Sequence, residues 1–293
     1  MAGQRTMQLG VVFPQTEIGA DVSGVRAYVD ATKDLGYQHF LAYDHVLGAD
    51  PEHYAPWDRP YSAHTQFHEI MVLFGYVAAA APGLELVTSV VILPQRQTAL
   101  VAKQAAEIDL LTGGKLRLGV GIGWNFVEYE GLGMNFKNRA RRYEEQIELL
   151  RRYWQEPVFS HKGQYESVTA AGINPLPIQR PIPIWIGGSA EAALKRAAEI
   201  ADGFFPQRPL EGGWAATLAQ MKAWREAAGK DWSSYGLEAR VNAGTGGPDD
   251  WRQTYDEWQA LGATHITVNT MNGGLVGPDQ HIARIREVKA ALA

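Results

Sequence analysis

Apolar positions along the chain fall into two patterns that take turns. Short runs rich in β-branched and aromatic residues occur at 7–13, 38–43, 84–93, 115–122, 182–186, 203–206, 237–243 and 264–269. Runs of this length and composition fit strands. Between them lie stretches with apolar residues three and four apart, at 22–35, 69–80, 98–111, 139–154, 190–201, 214–228, 249–261 and 278–292. Those fit helices that bury one face. Eight strands alternating with eight helices predict an α/β fold of the (β/α)8, or TIM, barrel type in a chain of 293 residues, with a doubly wound sheet as the alternative. No Pro-, Ser- or Gly-rich linker divides the chain, so a single domain over 1–293 is expected.

Two segments exceed this rhythm and predict insertions after strands two and four. Residues 48–68 include HYAPWDRPYSAHTQFH, and residues 157–181 include the Pro-studded INPLPIQRPIP. Loops that follow barrel strands line the mouth where sites are built. The aromatic content of 48–68 suits a substrate lid, and both segments are expected to shape substrate choice.

The stretch 110–133, LLTGGKLRLGVGIGWNFVEYEGLG, concentrates the unusual features. Gly113-Gly114 is a left-handed exit from a helix. The following strand carries Gly119, Gly121 and Gly123, and three glycines at spacing two weaken a strand unless something needs the space. Either a flat ligand approaches the strand or neighbouring strands pack tightly against it. Trp124 and Asn125, just past the strand end, favour a site.

Other strand ends are polar as well. Tyr43-Asp44-His45 places an imidazole beside a carboxylate after the second strand, a pair that can hold a polar heterocycle or move a proton near neutral pH. Thr88-Ser89-Val90 puts two hydroxyls into an apolar run, either satisfied by the backbone or marking a bulge. After the fifth strand, Gly187-Gly188-Ser189 leads into a helix with Ser189 as expected N-cap. Free N–H groups at that positive helix end would cradle a phosphate.

Composition narrows the classes further. A net charge of -5 and a pI near 5.9 argue against nucleic acid as partner, and no apolar run approaches membrane-spanning length. With no cysteine, disulfides, thiolate metal sites and a cysteine nucleophile are excluded. His64 and His68 are four apart without a metalloprotease pattern, so no metal is expected. Neither GxGxxG, a P-loop nor a Gly-x-Ser-x-Gly elbow is present. With no cleavable signal ahead of LGVVFP, a cytoplasmic protein is expected.

Three runs in this order, TSVVILPQR at 88–96, AKQAAEIDLLTGGKLRLGVGIGW at 102–124 and PIPIWIGGSAEAALKRAAEIADGF at 181–204, resemble the bacterial luciferase-like flavin and deazaflavin oxidoreductases. The resemblance is greatest to the branch that uses coenzyme F420. It implies that Asp44 and His45 meet the isoalloxazine-like ring, and that Ser89-Val90 is a non-proline cis peptide backing it. It also implies that Gly187, Gly188 and Ser189 hold the phosphate end, with Gly123, Trp124 and Asn125 flanking the tail. Thr88 belongs to the same expected cofactor set. Where the family's sugar-phosphate dehydrogenases have an acidic proton donor after the fourth-strand glycine, this chain has Trp124. Glucose-6-phosphate oxidation is therefore not expected. Glu128 and Glu130 are expected to pair with arginines such as Arg139 or Arg142.

The function so implied is hydride transfer between F420 and a small organic substrate with an electron-poor C=C, C=N or similar bond. His45 is the expected proton donor, with water or a tyrosine such as Tyr54 as fallback. Two alternatives stay open: an FMN-dependent monooxygenase on the same fold, and a non-catalytic flavin-binding protein. The expected partners are a small-molecule substrate and a second copy of the chain as a homodimer, with neither nucleic acid nor membrane.

Overall fold

The computed structural model describes residues 7–293. In chain order the strands are β1 (Gln8–Val12), β2 (His39–Ala42), β3 (Glu85–Thr88), β4 (Val91–Ile92), β5 (Leu116–Gly121), β6 (Phe159–Lys162), β7 (Ser167–Ala171), β8 (Ile184–Gly188), β9 (Gly203–Pro206), β10 (Gly236–Asn242) and β11 (His265–Asn269). The helices are α1 (Val22–Asp34), α2 (Ile70–Ala80), α3 (Thr98–Thr112), α4 (Phe126–Gly131), α5 (Arg139–Gln155), α6 (Glu191–Ile200), α7 (Gly213–Ala227), α8 (Pro248–Ala260) and α9 (Gly277–Ala291). The parallel strands run β3-β2-β1-β11-β10-β9-β8-β5-β4, and β3 also pairs with β5 through Leu86↔Leu116. That pairing closes the sheet into an eight-position (β/α)8 barrel, because β3 and β4 share one position. A doubly wound sheet would have free edges; this one has none.

Local chemistry explains the element ends. Asp21 caps α1 by accepting from the Ser23 N–H at 3.0 Å, which satisfies one of the helix's orphan donors. The helix α3 ends where Gly113 turns left-handed at φ 70°, as the glycine pair predicts.

The third strand departs from the expected continuous run over 84–93. It breaks at Ser89–Val90, whose peptide bond is cis, as the family resemblance implies. Further on, α5 is followed by an antiparallel hairpin, β6–β7, which alternation alone does not predict. The hairpin is mostly exposed and polar, and its tip folds back on α5. There the backbone N–H groups of Gln164, Tyr165 and Glu166 donate to the Glu145 carboxylate at 2.9–3.2 Å.

Most apolar burial lies between the barrel and its helices, where Tyr28, Phe40, Phe74, Tyr143, Trp154 and Phe204 are fully or almost fully enclosed. Inside the barrel, Val12, Leu41, Val87, Trp185, Phe205 and Met271 form a smaller apolar layer. Beneath it is an ionic floor. Glu238 accepts from Arg117 at 2.6 Å and bonds His39 at 2.9 Å, while Arg117 also reaches Glu85 at 2.9 Å and lies over the Trp185 ring. Charges this deep persist only when paired, and here each has a partner. A Cβ at Gly236 would run into the Trp185 indole, so glycine is required for the ring to fill the floor. No helix among the described residues is long and apolar enough to cross a membrane.

Candidate active site

Above the apolar layer, the C-terminal ends of the strands enclose a cavity of about 630 Å³. It brings together most of the residues singled out in the sequence: Asp44, His45, Ser89, Val90, Gly123, Trp124, Gly187, Gly188 and Ser189. Thr88 and Asn125 do not border it. The Thr88 hydroxyl donates to the Gly119 carbonyl at 2.7 Å and is fully buried, so its polarity is satisfied within the sheet. Asn125 donates to the Leu47 carbonyl at 3.0 Å and lines a smaller cavity, of about 340 Å³, behind His45.

The Asp44–His45 pair divides its work. Successive side chains of an extended segment point to opposite sides, and the two do not bond each other. Asp44 accepts from Arg96 at 2.7 Å and from the Ile92 N–H at 3.1 Å, tying the end of β2 to the segment after the bulge. The carboxylate at His45 is instead Glu128, on α4: Oε2 lies 3.2 Å from Nδ1. Its other oxygen, Oε1, accepts from the N–H groups of Val46, at 2.5 Å, and Leu47, at 3.2 Å. Burial pushes the Glu128 carboxyl up, but the hydrogen bonds from His45, Val46 and Leu47 outweigh it and hold the group below the usual carboxylate range. An ionised Glu128 only accepts, so Nδ1 carries the hydrogen and Nε2 is the nitrogen left for chemistry. Among the described residues Nε2 has no hydrogen-bond partner.

This corrects the expected pairing of Glu128 with Arg139 or Arg142. Arg142 bonds Glu166 on the hairpin at 2.9 Å and the carbonyls of Pro94 and Arg96. The tyrosines that line the cavity, Tyr43 and Tyr61, are also different from the one expected. Tyr61 lines it, its ring 5.0 Å from that of His45 and its pKa pushed up to about 12 by burial. Tyr54 packs away from the cavity, against Trp57 and Phe126. Segment 48–68 does supply wall, through Tyr61, and Trp57 leans on Trp124 with ring centroids 6.1 Å apart. Nothing from 157–181 lines the cavity, because that insertion precedes a barrel strand and packs on α5 and α3.

The three glycines of the β5 run answer to protein packing. A Cβ at Gly119 would meet the Thr88 carbonyl, one at Gly121 would lie 2.6 Å from Val90 Cγ2, and one at Gly123, where φ is +63°, 2.7 Å from Ile92 Cγ2. They make room for the broken strand, and the bulge in turn presents Ser89 and Val90 to the cavity.

At the Gly187–Ser189 turn, Ser189 is not the N-cap of α6. Ala190 holds that position, and no side chain caps the helix. Among the described residues the N–H groups of Ser189, Ala190, Glu191 and Ala192 find no carbonyl partner. Four free donors at a positive helix end, on a turn that borders the cavity, fit a phosphate. The donor set and the volume of the cavity suit a phosphate-bearing flavin or deazaflavin. Sequence reasoning missed Arg240, Asn242, Gln207 and Asn269, which also line the cavity. Only Arg240, a charge inside the inward-facing pattern of β10, left a readable signal.

A sequence model described as luciferase-like monooxygenase matches residues 7–243. An uncharacterised protein of Mycobacterium tuberculosis (strain H37Rv) is 37% identical over 164 residues, 56% of this chain and 56% of that protein. An FMNH(2)-dependent dimethylsulfone monooxygenase of Pseudomonas putida is 32% identical over 167 residues, 56% of this chain and 46% of its own. The chain thus spans about half the length of the curated relatives it matches. Among solved structures, an F420-dependent secondary alcohol dehydrogenase in complex with an F420-acetone adduct superposes with a TM-score of 0.76 and 16% identity, covering 98% of this chain and 99% of that one. The monooxygenase RslO1 from Streptomyces bottropensis gives the same TM-score and identity over 98% of each chain, so both show a shared fold. With a matching model over most of its length and that barrel around the cavity, the chain belongs to the luciferase-like monooxygenase family.

Proposed function

We propose that this protein is an oxidoreductase that binds coenzyme F420 in the large cavity. It would transfer a hydride between the deazaflavin and a small organic substrate with an electron-poor C=C or C=N bond. The observation that carries this reading is the His45–Glu128 pair beside the bulge and the uncapped N-terminus of α6. Together they supply a phosphate anchor, a wall for a ring and a proton donor at one mouth.

When bound, the deazaflavin supplies the hydride. The chain's own residues would do the rest. The free N–H groups at the start of α6, with Gly187, Gly188 and Ser189, would hold the phosphate. Ser89 and Val90 would back the ring, while Trp124 and Tyr61 exclude water from the reacting side. Glu128 keeps the His45 imidazole oriented with Nδ1–H toward itself, which leaves Nε2 to face the substrate. Nε2 would then deliver the proton that follows the hydride.

A second reading keeps the site and exchanges the cofactor for FMN, with oxygen as co-substrate. It is favoured by the Pseudomonas putida relative, whose name specifies FMNH(2). The absorption spectrum and mass of the small molecule released on denaturing the purified protein separate the two readings. Release of F420 supports the first and release of FMN the second. Turnover with a panel of acceptors distinguishes either from a non-catalytic flavin binder.

A further inference from the structure

Among the described residues, the enclosed arginines donate to a carboxylate or a carbonyl, with one exception. Arg96 bonds Asp44 and Glu69, Arg117 bonds Glu85 and Glu238, and Arg225 donates to the carbonyls of Ala198, Ala201 and Asp231. Arg240 lines the large cavity with no hydrogen bond and no ion pair among the described residues, and its Nε is buried without an acceptor. Its guanidinium lies over the Tyr43 ring, 5.4 Å from the centroid, which steadies the group but satisfies none of its N–H donors.

The carboxylates within reach are already engaged. Glu238, two residues earlier on the same strand face, is held by Arg117, His39 and Thr267. Asp44 is held by Arg96. The polar residues that share this part of the cavity, Gln207, Asn242 and Asn269, are uncharged. Nε of Arg96 and Arg139 also lacks an acceptor, but their terminal nitrogens are bonded, whereas no nitrogen of Arg240 bonds a described residue. A half-buried guanidinium left wholly without partners is costly to keep unless a ligand completes it.

We propose that Arg240 is the recognition point for an anionic group on the substrate, a carboxylate gripped side-on through Nε–H and one terminal N–H. The fork of a guanidinium matches two carboxylate oxygens in a plane, which makes a planar carboxylate the fitting class. Position favours substrate over cofactor. In the closed order of strands, β10 stands across the barrel from the β3–β4 bulge, and the phosphate cradle at the end of β8 already answers for the cofactor's anion. An electron-poor C=C conjugated to a carboxylate would meet both this arginine and His45. This deepens the proposed function and rests on it.

The test is binding of matched pairs to the cofactor-loaded protein: acetate, benzoate and cinnamate against acetamide, benzamide and cinnamamide, read by quenching of tryptophan fluorescence. Wild type is expected to favour the acid of at least one pair by tenfold or more. Arg240→Gln is expected to abolish that preference, Arg240→Lys to retain part of it, and cofactor affinity to stay within about threefold in both. No preference across the panel, or a preference that survives Arg240→Gln, overturns the proposal. A tenfold loss of cofactor affinity in Arg240→Gln with the preference intact assigns the guanidinium to the cofactor and overturns it too. If neither F420 nor FMN binds wild type, the reading of the cavity fails. The acid-amide comparison on the unloaded protein then still decides the role of Arg240.

Discussion

Glu128 Oε2 sits 3.2 Å from His45 Nδ1, across 83 residues of chain, and the same carboxylate holds the backbone of Val46 and Leu47. One buried acid therefore orients the imidazole and fixes the loop that carries it. In Glu128→Gln the amide oxygen can still accept from the loop, but its NH2 faces Nδ1 and reverses the tautomer. Single-turnover oxidation of reduced cofactor should slow by roughly ten- to a hundredfold, the scale for a partner that orients a working imidazole. Cofactor affinity should stay near wild type. Loss of cofactor with an unchanged rate per bound cofactor would reduce Glu128 to a loop anchor.

The uncapped start of α6 makes two effects of one substitution run in opposite directions. Ala190 is the N-cap and its side chain accepts from nothing. Ala190→Asp should stabilise the ligand-free protein by about 1 kcal/mol through capping. The new carboxylate would occupy the donors reserved for a phosphate, so cofactor affinity should fall tenfold or more, about 1.4 kcal/mol. Thermal unfolding and fluorescence titration of the same variant check both signs. A rise in stability without a loss of affinity places the phosphate elsewhere. Gly188→Val is a poorer probe, because even a Cβ there would lie 2.7 Å from Ala193 Cβ and shift the helix.

Gly121 tests whether the bulge positions the cofactor. The added methyl of Gly121→Ala would press on Val90 from 2.6 Å and push the bulge toward the cavity. Cofactor affinity should drop by at least tenfold, with far-ultraviolet circular dichroism unchanged. Equal affinity in a folded variant would show that the bulge does not contact the ring.

What was legible in the sequence depended on how local the signal was. The barrel could be read because strand and helix periods differ, and the Gly187–Ser189 turn, which borders the cavity, because it is three adjacent residues. His45 could be read as a polar strand-end residue, and it does line the cavity, but its partner could not. Asp44 is adjacent in sequence yet points to Arg96, whereas Glu128 arrives through the short helix α4. The glycine run left ligand and packing open, and the packing came from Thr88, Val90 and Ile92 on the neighbouring bulged strand. The β6–β7 hairpin escaped notice because an exposed, polar hairpin carries no apolar alternation to mark it.

The ionic floor predicts an acid-sensitive fold through His265, whose ring packs edge-on against those of His39 and Trp185. Burial first, and then the charge of Arg117, push the His265 pKa from its ordinary 6.5 down to about 2. The unfolded chain takes up a proton below the ordinary value while the folded one does not, so stability falls as pH falls. At about pH 5.5 this single group should cost about 1.4 kcal/mol relative to neutral pH. Urea unfolding at about pH 7.5 and 5.5, in wild type and His265→Asn, measures it. The variant should lose about that much less stability on acidification, and an identical loss in both proteins would mean that His265 is not held neutral.

The most direct test of the account is anaerobic single turnover of reduced F420 with an electron-poor alkene or imine, in wild type and His45→Ala. The account predicts oxidation of the deazaflavin by wild type without oxygen. It also predicts slowing by about two to four powers of ten in His45→Ala, the range for a general acid, with cofactor still bound. Oxidation that requires FMN and oxygen would contradict the hydride-transfer reading, and equal rates per bound cofactor would remove His45 from the chemistry.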